Sequence, residues 1–566
     1  MTYRAPTADF RFLLDHILDF AAVTATPRFA DASPDTIAAI LSEAARLCET
    51  ILAPLNRAGD QTPARLENSV VRTSPGFAAG FRAIADGGWI GLSADPAHGG
   101  MGLPLTLNSC VTEMMAAACL ALQLNPMLTQ GQIEALQYHA SDAIKSLYLP
   151  KLISGEWNGT MNLTEPQAGS DVGALKTRAT PHGDDSFAVT GQKIFITWGD
   201  SDFMANTCHL VLARLPDAPE GVKGISLFMV PKFLPDPDGN PGKRNTLHVV
   251  SLEHKLGIHG SPTAVMQFDA ATGWLVGAPH KGMAAMFTMM NNARLGVGIQ
   301  GVAQAEAAFQ HALTYATDRK QGRTPLGHTA IIDHADVRRM LAEMKAETFA
   351  ARAIALACAI GIDLARATND PAHHARAALL TPIAKAYGSD TGHRVAQLGV
   401  QVHGGAGFIE QTGAAQFARD VRITQIYEGT NGIQAMDLVG RKMQDNGEAA
   451  FRLFDEMQHA AEAARAALPD LATPVWDATE ALREATESLL AQPMNDRFAG
   501  SVPYLAAFAR VLGSHYHLKA AMADPAREPL ARFAIRRLLP EHAALLAQAR
   551  EGAEGLYALT PEALAL

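Results

Sequence analysis

The segment "SFAVTGQKIFIT", residues 186–197, interrupts a chain that is otherwise patterned for helices. It is short, rich in β-branched and aromatic residues, and flanked by Gly and Asp, which is typical of a β-strand. Three stretches of the same kind follow it: "HLVLARL" (209–215), "GISLFMVPKF" (224–233) and "TAVMQFDA" (263–270). Together they predict a small antiparallel β domain over residues 156–275.

Apolar residues recur at helical spacing on both sides of this β domain. Before it, Ser33 and Pro34 supply a cap and a first-turn proline for the helix that begins "DTIAAILSEAARL". We therefore expect an α+β fold in which helical domains flank the β domain. Its expected parts are an N-terminal extension (1–35), an N-terminal helical domain (36–155), the β domain (156–275), a C-terminal helical bundle (276–445) and an extra C-terminal helical region (446–566).

Composition excludes several classes of function. The 566 residues include 47 Lys and Arg against 57 Asp and Glu, without a basic run, so no nucleic-acid partner is expected. Five scattered cysteines without a CxxC pair are typical of reduced thiols in a cytoplasmic protein. We expect no signal peptide, no membrane span and no metal site, because the chain lacks the corresponding patterns.

Two segments combine small and polar residues in a way that suits a flat cofactor. "MNLTEPQAGSDVGALKT" (161–177) offers hydroxyls and flexible backbone for the rim of a flavin or phosphate, although an ordinary loop has the same composition. In "GQKIFITWG" (191–199), Phe195 and Thr197 project to one face and suit a heterocycle, although a half-buried strand explains them equally.

A glycine cluster lies where a long helix must end. In "VQVHGGAGFIEQ" (400–411), Gly404, Gly405 and Gly407 are either C-cap glycines or allow a pyrophosphate to approach bare backbone. The cluster does not match the GxGxxG pattern of dinucleotide-binding folds.

One carboxylate stands out in "VRITQIYEGTNGIQAMDLVGR" (421–441). Glu428 lies between the apolar pair Ile426–Tyr427 and the turn-like segment 429–432. A charge in such a place is costly unless it is paired, solvated or used. Glu428 is therefore either a helix-cap carboxylate at the surface or a functional acid or base.

Seven motifs, taken in order, resemble the acyl-CoA dehydrogenase family over residues 36–445. They are "LTEPQAGSD", "GQKIFIT", "HKLGIHGSPTA", "GAPHKGMAAMF", "DRKQG", "QVHGGAGF" and "RDVRITQIYEGTNGIQ". The resemblance implies FAD at the junction of the three domains and FAD-dependent α,β-dehydrogenation of an acyl-CoA thioester. The N-terminal segment and the long helical tail are similar to the branch that acts on 3-(methylthio)propanoyl-CoA.

The resemblance also assigns roles to residues. Glu428 falls on the position of the family's base, Arg294 on a contact to CoA, and Gly429 and Ser170 beside the thioester. The family's second location for the base is Ala293 here, which closes that alternative. The implied FAD contacts are Leu163, Thr164, Gly169, Ser170, Phe195, Ile196, Thr197, Thr430 and Asn431, with Arg319, Gln401, Gly404 and Gly405 reaching the FAD of a neighbouring subunit.

The reaction that the resemblance implies moves a proton from the α-carbon to Glu428 and a hydride from the β-carbon to flavin N5, and its product is a trans-2-enoyl-CoA. The implied partners are an electron-transfer flavoprotein and a second copy of the chain. Three alternatives stay open at this point: a dehydrogenase of short- or medium-chain fatty acyl-CoA, an oxidase that uses O2, and a catalytically silent protein that binds CoA thioesters.

Overall fold

The N-terminal part of the chain is helical and surrounds one long buried helix. The structure, a computed structural model, describes residues 3–566. Its first helices and strands are α1 (Thr7–Phe12), α2 (Phe20–Thr24), α3 (Pro34–Leu47), α4 (Ala53–Gln61), β1 (Arg65–Glu67), β2 (Val70–Arg72), α5 (Phe77–Asp86), α6 (Leu105–His139) and α7 (Asp142–Ile153). As predicted, Ser33 caps α3 by accepting the N–H of Thr36 at 3.1 Å.

A small hairpin, β1–β2, lies within the region predicted as helical. Asn68 and Ser69 connect its strands, and both have positive φ (51° and 62°). Two consecutive left-handed residues form the tight turn that joins antiparallel strands. An Asn-Ser pair signals this turn less clearly than Asn-Gly, because only glycine adopts positive φ without a steric cost.

The middle of the chain forms a seven-stranded sheet. Its strands are β3 (Trp157–Asn162), β4 (Arg178–Pro181), β5 (Ser186–Thr197), β6 (Asn206–Arg214), β7 (Ile225–Pro231), β10 (Leu247–Leu252) and β11 (Thr263–Val276), with the hairpin β8 (Phe233–Pro235) and β9 (Pro241–Arg244) beside it. Strand β7 pairs with both β6 and β11, so five strands close into a ring. Most pairings are antiparallel, but β6 runs parallel to β3 and β4.

The remainder of the chain is helical. These helices are α8 (Gly282–Asp318), α9 (Ala335–Thr368), α10 (Pro371–His403), α11 (Ala414–Val421), α12 (Asn431–Val439), α13 (Glu448–Ala464), α14 (Pro469–Ala491), α15 (Met494–Ala499), α16 (Ser501–Ala523), α17 (Glu528–Phe533), α18 (Glu541–Arg550), α19 (Glu554–Tyr557) and α20 (Pro561–Leu564). Among residues 3–566, α6 and α9 are long and apolar enough to cross a membrane, but their apolar windows are 100% and 89% buried inside the protein.

Glycines let α8 and α10 run side by side at very close range. A Cβ added to Gly298 or Gly301 would overlap the carbonyl oxygen of Ala384 or Gly388, and one added to Gly388 would overlap the carbonyl oxygen of Gly298. Gly298 faces Gly388 while Gly301 faces residue 392, so the two helices are parallel. Side chains one turn before these glycines are therefore brought together at the same level of the bundle.

A single carboxylate joins the N-terminal extension to both helical regions that follow the β domain. Asp9 of α1 accepts from Lys345 of α9 at 2.7 Å and from Arg527, just before α17, at 2.8 Å. Fully buried Arg352 lies 3.6 Å from Asp9 and binds Glu113 and Glu306. Burial raises the pKa of Asp9, but Lys345 and Arg352 outweigh it and hold this pKa well below its usual range.

We expect Asp9→Asn to loosen the extension, because Lys345 and Arg527, which are 27% and 23% exposed, lose the carboxylate that joins them. The cost of breaking a buried pair, about 3–5 kcal/mol, is an upper limit here, whereas the exposed pair of Arg11 and Asp15 contributes at most about 1 kcal/mol. The native pKa of Asp9 is depressed, so its contribution is complete above the unfolded pKa of about 3.9 and is lost as the pH falls.

Thermal midpoints and protease cleavage within residues 1–35 measure this effect at pH 7 and at pH 3. Asp15→Asn is the matched control. Equal midpoints and equal cleavage for the two variants at pH 7 would contradict the role of Asp9.

Candidate active site

Glu428 stands in a strained turn directly before α12. Its φ is +57°, and Gly429 follows with a φ of +83°. A non-glycine residue in this conformation costs about 1 kcal/mol or more and needs support from its surroundings. The support comes from Gln434, whose side-chain amide donates to the carbonyl oxygens of Glu428 (3.1 Å) and Gly429 (3.2 Å). Thr430 caps α12 by accepting the N–H of Ile433 at 3.3 Å.

Two cations from different helices lie near the Glu428 carboxylate, as the close contact between α8 and α10 requires. Arg294 of α8 is buried and pairs with Asp437 of α12 at 3.3 Å. Lys385 of α10 is fully buried. Burial raises the pKa of Glu428 more than Arg294 and Lys385 lower it, and the result is a pKa of about 7. A carboxylate with this pKa is suited to accept a proton at neutral pH.

The turn is closely packed at Gly429, where a side chain would not fit. A Cβ at Gly429 would lie 2.8 Å from the Gln434 amide and 3.9 Å from the guanidinium of Arg294. Tyr427, the residue before Glu428, donates its hydroxyl to Gln300 of α8, so the segment is bound on both sides. Of the contacts described for residues 3–566, none is a hydrogen bond to the Glu428 carboxylate.

The loop 163–177 is held by a buried ion pair that sequence analysis did not single out. Lys193 of β5 donates to Glu165 at 2.8 Å and to the carbonyl of Leu163 at 3.0 Å. Glu165 also accepts from the N–H groups of Lys176 (2.7 Å) and Thr177 (3.1 Å). Burial raises the pKa of Glu165, but Lys193 outweighs it and holds this pKa at about 2, while burial lowers the pKa of Lys193 to about 8.

This ion pair places the predicted flavin-contacting segments next to each other. Thr164 accepts the N–H of Ile194 through its main-chain carbonyl at 2.9 Å, so the loop follows β5. Gly169 and Ser170 are exposed at the tip of the loop. The sequence does contain a signal for this ion pair: Lys193 falls on the buried side of β5. An unpaired buried cation is costly, so a carboxylate partner is expected nearby.

Strand β5 ends in a bulge that turns an aromatic ring outward. Phe195 has a φ of +60° and is 59% exposed, Ile196 is buried, and Thr197 is half-buried. The register between β5 and β11 shifts at this point. Phe195 and Thr197 are thus both more accessible than Ile196, in agreement with the predicted alternation.

The remaining predicted contacts divide into two groups. The side chain of Asn431 faces α10, where it accepts from Lys385 at 2.7 Å and donates to Asp390 at 2.7 Å. The second group lies at the far ends of α8 and α10: by the helical rise, Arg319 is about 38 Å from Arg294, and Gln401 is about 24 Å from Lys385. It consists of Arg319, Gln401, Gly404 and Gly405.

This distant group borders open space. A Cβ at Gly404 or Gly405 would meet nothing within 4 Å, and Gly404 has a φ of +59°. Next to them, His311, Tyr315, Arg319 and His403 line a cavity of about 380 Å³. The chain therefore does not bring these residues to its own Glu428.

A larger cavity of about 480 Å³ borders α8 at the residues next to Arg294, whose own side chain does not line it. Ala293 and Gly296 of α8 and Met127 and Gly131 of α6 form its inner wall. Its outer wall includes Arg28 and Asp31 of the N-terminal extension and the ion pair of Glu134 and Arg366.

Sequence comparison assigns the domains that carry this site. Family models match in chain order: acyl-CoA dehydrogenase N-terminal domain (34–156), middle domain (160–271) and C-terminal domain (280–443), then acetyl-CoA dehydrogenase C-terminal like (453–560). The chain belongs to the acyl-CoA dehydrogenase family. It is therefore an oxidoreductase that dehydrogenates acyl-CoA, with FAD as its cofactor.

Known relatives support this assignment over most of their length. The chain is 47% identical to 3-methylmercaptopropionyl-CoA dehydrogenase of Ruegeria pomeroyi over 89% of this chain and 88% of that one. It is 37% identical to butyryl-CoA dehydrogenase of Syntrophomonas wolfei (78% and 75% covered) and 35% identical to the broad-specificity linear acyl-CoA dehydrogenase FadE5 of Mycobacterium tuberculosis (81% and 78% covered).

A solved structure shares the fold, including the helical tail. Caenorhabditis elegans ACDH-11 in complex with C11-CoA superimposes with a TM-score of 0.80 at 20% identity, covering 95% of this chain and 92% of that one. Because 95% of this chain is covered, most of the helical region after residue 445 is part of the shared fold.

We expect Lys193→Met to weaken FAD binding, because the loop 163–177 loses the cation that holds it to β5. Hydrogen bonds to charged groups contribute about 1.5–3 kcal/mol, so the Kd should rise about tenfold or more. Fluorescence titration of apoprotein with FAD measures this. Lys232→Met is the control, since it removes a half-buried ion pair with Asp200 in the same domain without touching the loop. An unchanged Kd for Lys193→Met would show that the loop is held without the ion pair.

Proposed function

We propose that the chain oxidises an acyl-CoA thioester to a trans-2-enoyl-CoA with Glu428 as base, and that 3-(methylthio)propanoyl-CoA is its leading substrate. The observation that carries the assignment of the base is the Glu428 turn. It holds a carboxylate with a pKa of about 7 in a left-handed conformation between two cations. The 47% identity to the Ruegeria pomeroyi enzyme supports the substrate.

The residues present fit FAD. Phe195 offers an exposed ring, Thr430 is exposed beside Glu428, and Gly404 and Gly405 leave bare backbone. We retain as FAD contacts Leu163, Thr164, Gly169, Ser170, Phe195, Ile196, Thr197, Thr430 and Asn431, with Arg319, Gln401, Gly404 and Gly405 serving the FAD of a partner subunit. FAD, when bound, supplies the acceptor for the hydride that leaves the substrate β-carbon.

The protein's own part is to bind the thioester and remove a proton. The acyl group lies over Gly429, where a side chain would meet Gln434, and Glu428 takes the proton from the α-carbon. The main-chain N–H of Glu428 polarises the thioester carbonyl, and Ser170 lies beside the same group. Arg294 binds the CoA portion. Because α-proton removal develops negative charge on the carbonyl oxygen, donors aimed at this atom lower the barrier.

Three further points belong to the proposal: an electron-transfer flavoprotein accepts the electrons, the chain forms a homodimer, and the enzyme is cytoplasmic. The exposed Gly404–Gly405 face, distant from the chain's own Glu428, is what a shared cofactor site requires. An oxidase would instead form peroxide without an added acceptor.

We expect Glu428→Gln to keep bound yellow FAD but to lose reduction by substrate, because the amide cannot accept the α-proton. General-base removal slows proton transfer by about 100-fold or more. Anaerobic mixing with 3-(methylthio)propanoyl-CoA, followed by flavin absorbance, measures this loss. The exposed Glu487→Gln of α14 is the control. Normal bleaching of the flavin in Glu428→Gln would show that Glu428 is not the base. A wild-type protein that purifies without FAD would favour a catalytically silent protein that binds CoA thioesters.

A second candidate substrate class is suggested by the large cavity between α6 and α8. A volume of about 480 Å³ exceeds what a four- or five-atom acyl chain fills, so linear chains of medium length also fit. The broad-specificity relative FadE5, at 35% identity, supports this candidate.

We expect Gly131→Leu to discriminate between the two substrate classes. Gly131 lines the cavity, so a leucine at this position narrows it. If long chains enter here, kcat/KM for octanoyl-CoA falls about tenfold or more, while that for the methylthio substrate changes little. Gly555→Leu in exposed α19 is the control. Equal losses for both substrates would indicate that the cavity does not receive the acyl chain.

A further inference from the structure

Lys385 is a buried cation that no part of the proposed chemistry uses. The residue is 0% exposed within α10. Its ammonium donates to the side-chain oxygen of Asn431 at 2.7 Å. Asn431 is the first residue of α12 and lies three positions after Glu428. Burying an ammonium group against a neutral amide is costly. A functional reason for a lysine at this position is therefore expected.

The position of Lys385 follows from the backbone contact of α8 and α10. Gly388 lies one turn after Lys385 and presses against Gly298, which lies one turn after Arg294. The two cations therefore approach the Glu428 turn from two helices at the same level. Asn431 joins α12 to α10 at this level, since its side-chain amide also donates to the hydroxyl of Ser389 at 2.9 Å.

The charged groups around Glu428 are not equivalent. Arg294 is neutralised by Asp437, which also binds Arg441 at 2.6 Å. Asp390 of α10 accepts from the neutral amides of Gln425 and Asn431. Lys442 follows α12. Among the ion pairs described for residues 3–566, none involves Lys385, and the carboxylates of Asp390 and Glu428 both act on its charge from a greater distance.

We propose that Lys385 is a positioning residue for acyl-CoA dehydrogenation: it fixes the Glu428 turn through Asn431 and supplies the positive charge that favours the carboxylate form of Glu428. The proposal rests on the proposed role of Glu428 as base. Two effects are thereby combined in one side chain, a mechanical one through a hydrogen bond and an electrostatic one through the charge.

The electrostatic effect has a defined pH window. Burial lowers the pKa of Lys385 to about 8, against the opposing influence of Asp390 and Glu428. Glu428 loses its proton near pH 7, so between pH 7 and 8 the carboxylate and the ammonium are both charged. When the Lys385 ammonium is removed, Glu428 loses a nearby positive charge. The pKa of Glu428 then rises by about one unit.

The test compares Lys385→Met, which removes the charge, with Asn431→Ala, which breaks the hydrogen bond but keeps the charge. Two quantities are measured against pH: the rate of flavin reduction by substrate, and the infrared absorbance of the protonated Glu428 carboxyl, identified by its loss in Glu428→Gln. We expect the Glu428 midpoint to rise by about one unit in Lys385→Met. Asn431→Ala should lower the rate at all pH values with an unchanged midpoint.

Two further variants complete the design. Lys385→Arg keeps the charge and should restore the wild-type midpoint even if its rate is reduced. Lys519→Met removes a half-buried lysine that bonds a neutral carbonyl, that of Ile17 at 2.5 Å, far from the site, and should leave the midpoint unchanged. If Lys385→Met does not fold, Lys385→Gln replaces it.

The proposal is overturned if the infrared midpoint of Lys385→Met equals that of the wild type, because a purely structural lysine would lower rates alone. It is supported if the midpoint rises in Lys385→Met and returns in Lys385→Arg. Failure of the proposed function looks different, since Glu428→Gln would then bleach normally whatever the behaviour of the Lys385 variants.

Discussion

The arrangement of this protein depends on the contact between two parallel helices that meet backbone to backbone. Where α8 and α10 cross, Gly298 and Gly388 have no side chains, and each helix presses on carbonyl oxygens of the other. Any larger residue would separate the axes. Since Arg294 and Lys385 each lie one turn before a contact glycine, such separation would withdraw positive charge from the Glu428 turn. The chemistry thus relies on residues that have no reactive groups of their own.

Buried charge is used repeatedly in this structure, and each time it joins segments that are distant in sequence. Lys193 ties a loop to a strand through Glu165, and Arg352 ties α6 to α8 and α9 through two glutamates. Replacing such pairs by apolar residues need not destabilise a protein, but removing one partner does. Their benefit here is geometric, because an ion pair fixes which segments meet. Lys385 differs in having a neutral hydrogen-bond partner, Asn431, while its charge interacts with Asp390 and Glu428.

Sequence reasoning reached the fold class and the family, because strands of alternating pattern and seven ordered motifs are local properties of the chain. It did not reach the β1–β2 hairpin, whose Asn68–Ser69 turn lacks the usual glycine. It also passed over Gly298 and Gly388, since a glycine inside a helical pattern signals weakness and not a close contact. Lys193 and Lys385 were missed for a related reason: periodicity treats lysine as an exposed residue. The direction of the Asn431 side chain depends on tertiary packing, and no local pattern encodes it.

The ionic anchor at Asp9 has a consequence for how the chain matures on the ribosome. Its partner Arg527 lies 518 positions later in the sequence. At a synthesis rate of about 5–20 residues per second, the N-terminal extension waits roughly 25–100 s before this partner exists. During that interval the apolar face of α1, with Phe10 and Phe12, lacks its final cover from the helical tail. The first segment to be made is therefore among the last to gain all of its contacts.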